Sequence, residues 1–282
     1  MIGVSNEKSR LLGHMGVTNS MSIRTWDAVR CPLELKIGEI HVWRVKVDRH
    51  VSAFSMLKKT LSSEEVARAK QLRSELDRHR YIVAHGALRT ILARYLKSVP
   101  SELVFRHGPQ GKPELASGAV HFNLSRSHAL ALCAVSRTAL GVDVERVRSG
   151  VAEDVARWLP PNARRLLEAL PHSLQGRAFF HLWTRMEAYS KARGEGLIFG
   201  LETLDVPLGL RNPASFCAAG TMEKQGQWWH HGFSPCTGYV AALVAWGGNF
   251  NVKYWKWEAR EISDKHEHPS ARACGWYGGP SF

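Results

Sequence analysis

Residues 40–47, Ile-His-Val-Trp-Arg-Val-Lys-Val, alternate apolar and polar side chains. A period of two predicts a half-buried strand. Leu61-Ser62-Ser63-Glu64-Glu65 follows, with a Ser cap and early acids, and predicts a helix start. Over residues 77–96 the apolar positions Ala84, Ala87, Leu88, Ile91, Leu92 and Tyr95 recur three and four apart. That spacing predicts a helix with one core stripe. Arg78, His85 and Arg89 fall on one line of its opposite face. Residues 120–123 and 129–136 read as short strands flanking a polar turn, Ser125-Arg126-Ser127, and residues 139–145 as another strand. A helical segment is predicted from Val151, and a short helix over 162–170 after the Pro160-Pro161 break. Residues 177–193 form the strongest helical pattern, ended by Gly194 and Gly196. Its stripe of Phe179, Leu182, Met186 and Tyr189 predicts an inward face. The clearest late strand is residues 239–246.

The order strand, helices, strands occurs twice, over 37–140 and 141–247. This predicts an α+β chain built of two similar α+β halves. Residues 1–36 lack periodicity and read as a disordered extension. Residues 248–282 are polar, rich in Gly, Pro and His, and read as an appended tail.

At 282 residues the chain can bury a sizeable core. With 44% hydrophobic and 22% charged residues it matches an ordinary globular protein rather than a disordered one. The formal net charge of +13 favours an anionic partner: nucleic acid, a phosphorylated small molecule or an acidic protein. Residues 58–97 carry ten Lys or Arg against four acids, so the charge is concentrated there. The five cysteines are odd in number and widely spaced, which suits reduced thiols better than disulfides or a zinc site. No helix-turn-helix, zinc finger or RNP-like strand supports a nucleic-acid partner. The longest apolar run, residues 239–246, is too short to span a bilayer. With no signal-peptide core at the N-terminus, a soluble, cytoplasmic protein without a membrane partner is expected.

Four segments could carry chemistry. Asp143 and Glu145 are two apart on a predicted strand, so both carboxylates share one face, their Cα atoms roughly 7 Å apart. Two acids that close repel unless a cation relieves them, and Mg²⁺ accepts one or two carboxylates together with substrate phosphates. Taken alone, a solvent-facing pair explains them as well. Glu187 and Lys191 are four apart on the strong helix and share a face. A surface ion pair is the competing reading. Gly108-Pro109-Gln110-Gly111-Lys112-Pro113 resembles half a phosphate loop, though Pro113 stands where a Walker helix would begin. Asn123, Ser125, Arg126 and Ser127 gather donors suited to phosphate oxygens, or simply line a hairpin turn.

In this order the segments resemble the Sfp-type 4′-phosphopantetheinyl transferases. The matching residues are Gly111-Lys112-Pro113, Phe122-Asn123-Leu124-Ser125, Gly141-Val142-Asp143-Val144-Glu145, and residues 183–191 followed by Gly194-Glu195-Gly196-Leu197. The resemblance spans roughly 37–247, and the last two motifs are its most specific part. It implies transfer of the phosphopantetheine arm of coenzyme A to a serine of an acyl or peptidyl carrier protein, with release of adenosine 3′,5′-bisphosphate. Such carriers serve fatty-acid synthesis or secondary metabolism. It also implies a pseudo-twofold α+β monomer with the active site between its halves. Carried over by position, Asp143, Glu145 and Glu187 would ligate Mg²⁺. Glu187 would serve as base, and Lys191 would contact the diphosphate. Arg80, Lys112, Pro113, Ser125 and Arg126 would join Asp143 and Lys191 in holding coenzyme A. The net charge would steer coenzyme A and an acidic carrier alike. Two positions depart from the family pattern: Met186 stands where many relatives have Lys, and Arg126 where they have His. Met186 leaves a catalytically weak or inactive relative, binding coenzyme A or a carrier, as the alternative reading.

Overall fold

The computed structural model describes residues 24–28, 33–49, 52–148, 159, 161–194, 214–216 and 228–259. Its strands are β1 (Asp27–Ala28), β2 (Glu39–Lys46), β3 (Phe105–His107), β4 (Pro113–Leu115), β5 (His121–Ser127), β6 (Leu130–Ser136), β7 (Leu140–Arg146), β8 (Ala214–Phe216), β9 (Trp228–Phe233), β10 (Tyr239–Trp246) and β11 (Asn251–Lys256). The helices are α1 (Phe54–Thr60), α2 (Ser63–Gln71), α3 (Glu75–Leu96), α4 (Pro161–Glu168) and α5 (His172–Arg193). The chain is thus mixed α+β. None of the described helices is long and apolar enough to cross a membrane.

The strands form a five-stranded sheet, β1-β11-β2-β6-β5, a four-stranded sheet, β7-β10-β9-β8, and the small β3-β4 hairpin. The two large sheets share a three-stranded unit: a first strand (β2 or β7) precedes a 22-residue helix (α3 or α5), and of two strands after that helix (β5 and β6, or β9 and β10) the later pairs between the other two.

The two sheets face one another. Ile40, Val42, Leu130 and Leu132 of the first sheet pack against Val142, Val144, Leu243 and Phe233 of the second. The outer face of the first sheet, with Trp43, Val45 and Cys133, covers α3. The outer face of the second, with Val240, Ala242 and Val244, covers α5. Strands β6 and β10 alternate their side chains between two apolar layers, so they are buried on both faces and read as nearly continuous apolar runs.

Local signals account for the helix boundaries. Ser62 and Glu65 make a reciprocal capping box on α2, and Ser74 caps α3 by accepting from the Asp77 N–H at 3.3 Å. Gly194 closes α5 in the left-handed region, at φ 72°.

Several expectations change. Ser125-Arg126-Ser127 is not a turn but the second half of β5; the reversal comes at His128, at φ 50°. The predicted tail supplies β11, which pairs in parallel between β1 and β2. Its alternation sends Val252 and Tyr254 to the inter-sheet layer and Trp255 and Trp257 towards α3. The predicted extension supplies β1, and Leu35 joins the core. Residues 24–36 therefore contribute to the fold wherever they are described. Arg89 is not on a solvated face. Only 1% exposed, it donates to Glu65 at 2.7 Å and to the carbonyls of Pro100 and Leu103 at 3.0 Å. The helix expected from Val151 and the Glu195-Gly196-Leu197 segment lie outside the described residues.

Candidate active site

The site is built around β7. Period two sends Val142 and Val144 into the inter-sheet layer and Gly141, Asp143 and Glu145 towards α5. Gly141 lets α5 come close. A Cβ there would stand 2.0 Å from the Ala188 carbonyl oxygen and 2.5 Å from the Ala192 nitrogen. Because strand and helix touch at that point, the last turns of α5 bring Lys191 onto Asp143. Its ammonium donates to Asp143 Oδ1 at 2.6 Å and to Ser125 Oγ at 3.3 Å, and lies 4.0 Å from Glu187 Oε2.

Asp143 is 3% exposed. Burial raises its carboxyl, opposed by Lys191 and the Ser125 hydrogen bond. Burial likewise raises Glu145, with Asp143 adding to the effect and Ser127 opposing it. Burial pushes Glu187 up to about 7; Lys191 holds it down while Asp143 and Glu145 push further. Such a set of acids is short of positive charge, and among the described residues Lys191 reaches it directly. Among the described residues no three acids, histidines or cysteines converge into a ready cage for a metal ion. The side chains of the acid set are instead held by Lys191 and two serines.

The serines come from β5, on the other sheet. Ser125 donates to Asp143 Oδ1 at 2.7 Å and Ser127 to Glu145 Oε2 at 2.8 Å. Asn123 Oδ1 accepts from the Val142 N–H at 2.8 Å. These are the residues whose types suit phosphate oxygens or a hairpin turn; here they meet the acids and the edge of β7. The missed signal is an Asn-x-Ser-x-Ser run with the same period as Asp-x-Glu.

The remaining predicted residues lie around this centre. Lys112 sits at the C-terminal end of α5, donating to Ala192 O at 3.2 Å and Leu140 O at 3.1 Å. A cation there completes the open carbonyl end of the helix, and burial lowers its ammonium. Pro113 opens β4 opposite His107. Arg126 points to the opposite face of β5 from Ser125, its guanidinium 6.0 Å from the centre of the Tyr81 ring. Arg80 makes a two-point pair with Asp48, at 2.8 and 3.0 Å. Arg80 and Arg126 thus stand by the first turns of α3, in a basic cluster separate from the acids. Met186 is 1% exposed and packs in the α5 core beside Phe179, Leu182 and Tyr189, as its stripe predicted. Arg185 is also buried, beside Gly232, and does not replace a lysine at the acids.

Comparison with known proteins follows the same motifs. Residues 139–244, which contain β7, α5 and β10, match the 4′-phosphopantetheinyl transferase superfamily. The chain is 35% identical over 238 residues to the 4′-phosphopantetheinyl transferase HetI of Nostoc sp., covering 82% of this chain and 98% of that protein. It is 34% identical over 167 residues to a putative 4′-phosphopantetheinyl transferase of Synechocystis sp., covering 57% and 67%. It is 26% identical over 149 residues to 4′-phosphopantetheinyl transferase Sfp of Bacillus subtilis, covering 52% and 66%. With a likeness that spans nearly the whole of a relative, and an acid cluster at the matched motifs, the chain belongs to the 4′-phosphopantetheinyl transferase superfamily.

Proposed function

We propose that the chain moves the 4′-phosphopantetheine arm of coenzyme A onto a serine of an apo acyl or peptidyl carrier protein. The reaction depends on Mg²⁺ and releases adenosine 3′,5′-bisphosphate. The protein acts as a cytoplasmic monomer, and its partner is acidic. The observation that carries this reading is the buried Asp143 with half-buried Glu187 beside Lys191, and half-buried Glu145 next along β7 on Ser127, where β5 meets β7 and α5.

The residues suit Mg²⁺. Asp143 Oδ2 is buried with no hydrogen-bond partner, a costly state for an acid unless a cation compensates it. Hard carboxylate oxygens match the preference of that ion. Asp143, Glu145 and Glu187 would hold it, and bound there it would neutralise the diphosphate of coenzyme A.

The chain's own groups supply the rest. The carrier serine oxygen forms a bond to the phosphorus bearing the pantetheine arm. The bond from that phosphorus to the bridging oxygen breaks, and adenosine 3′,5′-bisphosphate leaves with that electron pair. Glu187 receives the serine proton directly or through a water. Lys191 donates to the oxygen on which charge grows. Lys112 has three N–H donors and spends two on carbonyls; the third can meet a phosphate beside Pro113. Arg80 and Arg126 offer charge to the nucleotide end. Ser125 contributes through Asp143 and Lys191, the groups it already touches.

Asp143→Ala and Glu187→Ala test the assignment. Each should reduce transfer to background with the circular dichroism spectrum unchanged. Near-full transfer by either variant would sink it.

A further inference from the structure

One edge of β7 is paired with β10. The N–H groups of its other edge, at Val142, Val144 and Arg146, point at β5 but meet no backbone carbonyl there. Side chains receive them instead. Asn123 Oδ1 accepts from Val142 at 2.8 Å, Ser125 Oγ from Val144 at 3.2 Å and Ser127 Oγ from Arg146 at 3.1 Å. Every second residue of β5 therefore stands in for a strand carbonyl, and the two sheets are stitched together along this edge.

A hydroxyl has one proton and two lone pairs. At Ser125 the lone pairs take the Val144 N–H and the Lys191 ammonium, and the proton goes to Asp143 Oδ1. Its hydrogen-bonding capacity is full. At Ser127 one lone pair takes the Arg146 N–H, which fixes the hydroxyl, and the proton goes to Glu145 Oε2. In both cases the backbone aims the serine and the serine aims the acid. One oxygen of each carboxylate is occupied: Oδ1 of Asp143 and Oε2 of Glu145. Asp143 Oδ2 is left buried without a partner.

We infer that Ser127 is a positioning residue for a divalent cation. Its hydroxyl fixes the Glu145 carboxylate before the ion arrives, as Ser125 fixes Asp143. The inference rests on the reading that these acids hold Mg²⁺. It goes beyond that reading by assigning a role to a serine with no direct part in the chemistry. Groups that orient the ligands of a metal typically contribute about 10- to 100-fold in affinity.

The test is direct titration of the full chain with Mn²⁺ as probe, followed by calorimetry without coenzyme A or carrier. Wild type, Ser127→Ala, Ser127→Thr and Asp143→Ala are compared. Ser127→Ala should weaken Mn²⁺ binding by about 10-fold or more. Ser127→Thr, which keeps the hydroxyl, should restore most of it. The Mg²⁺ concentration giving half-maximal transfer should rise in Ser127→Ala by the same factor, a change that loss of folded protein alone would not produce. Should Ser127→Ala fail to fold, Ser127→Cys, with a weak donor in the same volume, takes its place and should show the same direction. If the serine variant binds Mn²⁺ like wild type while Asp143→Ala does not, the positioning role is overturned and the metal reading stands. If wild type does not bind, or Asp143→Ala binds like wild type, the metal reading falls and the inference with it.

Discussion

Replacing Gly141 with Ala puts a methyl group where α5 already lies. The new Cβ would stand 2.0 Å from Ala188 O and 2.5 Å from Ala192 N. Both are backbone atoms, so no side-chain rotation relieves the clash. Even a tight contact near 3.0 Å requires β7 and α5 to part by about 1 Å. The 2.6 Å contact between Lys191 and Asp143 then opens past about 3.5 Å, beyond hydrogen-bond range. Overpacking of this kind costs about 1–3 kcal/mol. A reacting group displaced by 1 Å can lose on the order of 10²-fold in rate. Urea unfolding should show a lower midpoint, and transfer to an apo carrier, followed by intact mass, should slow by about that factor. Gly176→Ala is the control on the same helix, because its nearest outside atom is 4.0 Å away. It should stabilise the protein by about 0.5–1 kcal/mol through helix propensity. Wild-type stability and rate in Gly141→Ala would refute the idea that this contact sets the site.

Two further outcomes follow. Met186 fills the core, so Met186→Ala should cost about 2–5 kcal/mol in urea unfolding. Met186→Leu should cost less than about 1.5 kcal/mol and keep transfer; loss of transfer in a stable Met186→Leu would contradict a packing role. Stability should also fall in acid. Burial pulls His231 from 6.5 down to about 4, with Arg24 and Arg185 adding to the effect, and pulls His181 down to about 3. Below pH 6.5 the unfolded chain takes up protons that the folded chain refuses. The stability they contribute is therefore complete above pH 6.5 and is lost as pH falls towards 4. For His231 that span amounts to about 3 kcal/mol. Urea midpoints at pH 7.5 and 4.5 should differ accordingly, and His231→Gln should narrow the gap; an equal gap in the variant would contradict the assignment.

The elements legible in the sequence are those whose burial is one-sided or complete over many residues. Helix α3, helix α5, and strands β2 and β10 carry a period or an apolar run long enough to identify them. Only the first part of β5, residues 121–123, is legible as a strand, because its inward face is polar. Asn123, Ser125 and Ser127 face another strand's edge rather than a core, and no hydrophobic period marks that arrangement. Strand β11 carries no clear strand signal because its lysines and aromatics mask an alternation between two different layers. Spacing pairs the charged residues, period two for Asp143 and Glu145 and one helical turn for Glu187 and Lys191, but it leaves surface pairs as an equal reading; only the resemblance joins the two pairs into one site. What brings the two pairs together is Gly141, whose role depends on a helix distant in sequence and so could not be read locally. Lys112 and Arg80 show no partner in the local sequence. Their carbonyl and carboxylate partners lie 28 to 80 and 32 residues away respectively.

The central claim is transfer itself. The purified protein would be incubated with coenzyme A, Mg²⁺ and a panel of apo acyl and peptidyl carriers, and each carrier weighed intact. At least one carrier should gain the mass of a single phosphopantetheine on its serine, and chelating the cation should stop the gain. No gain on any carrier, with the protein folded and Mg²⁺ present, would contradict the account.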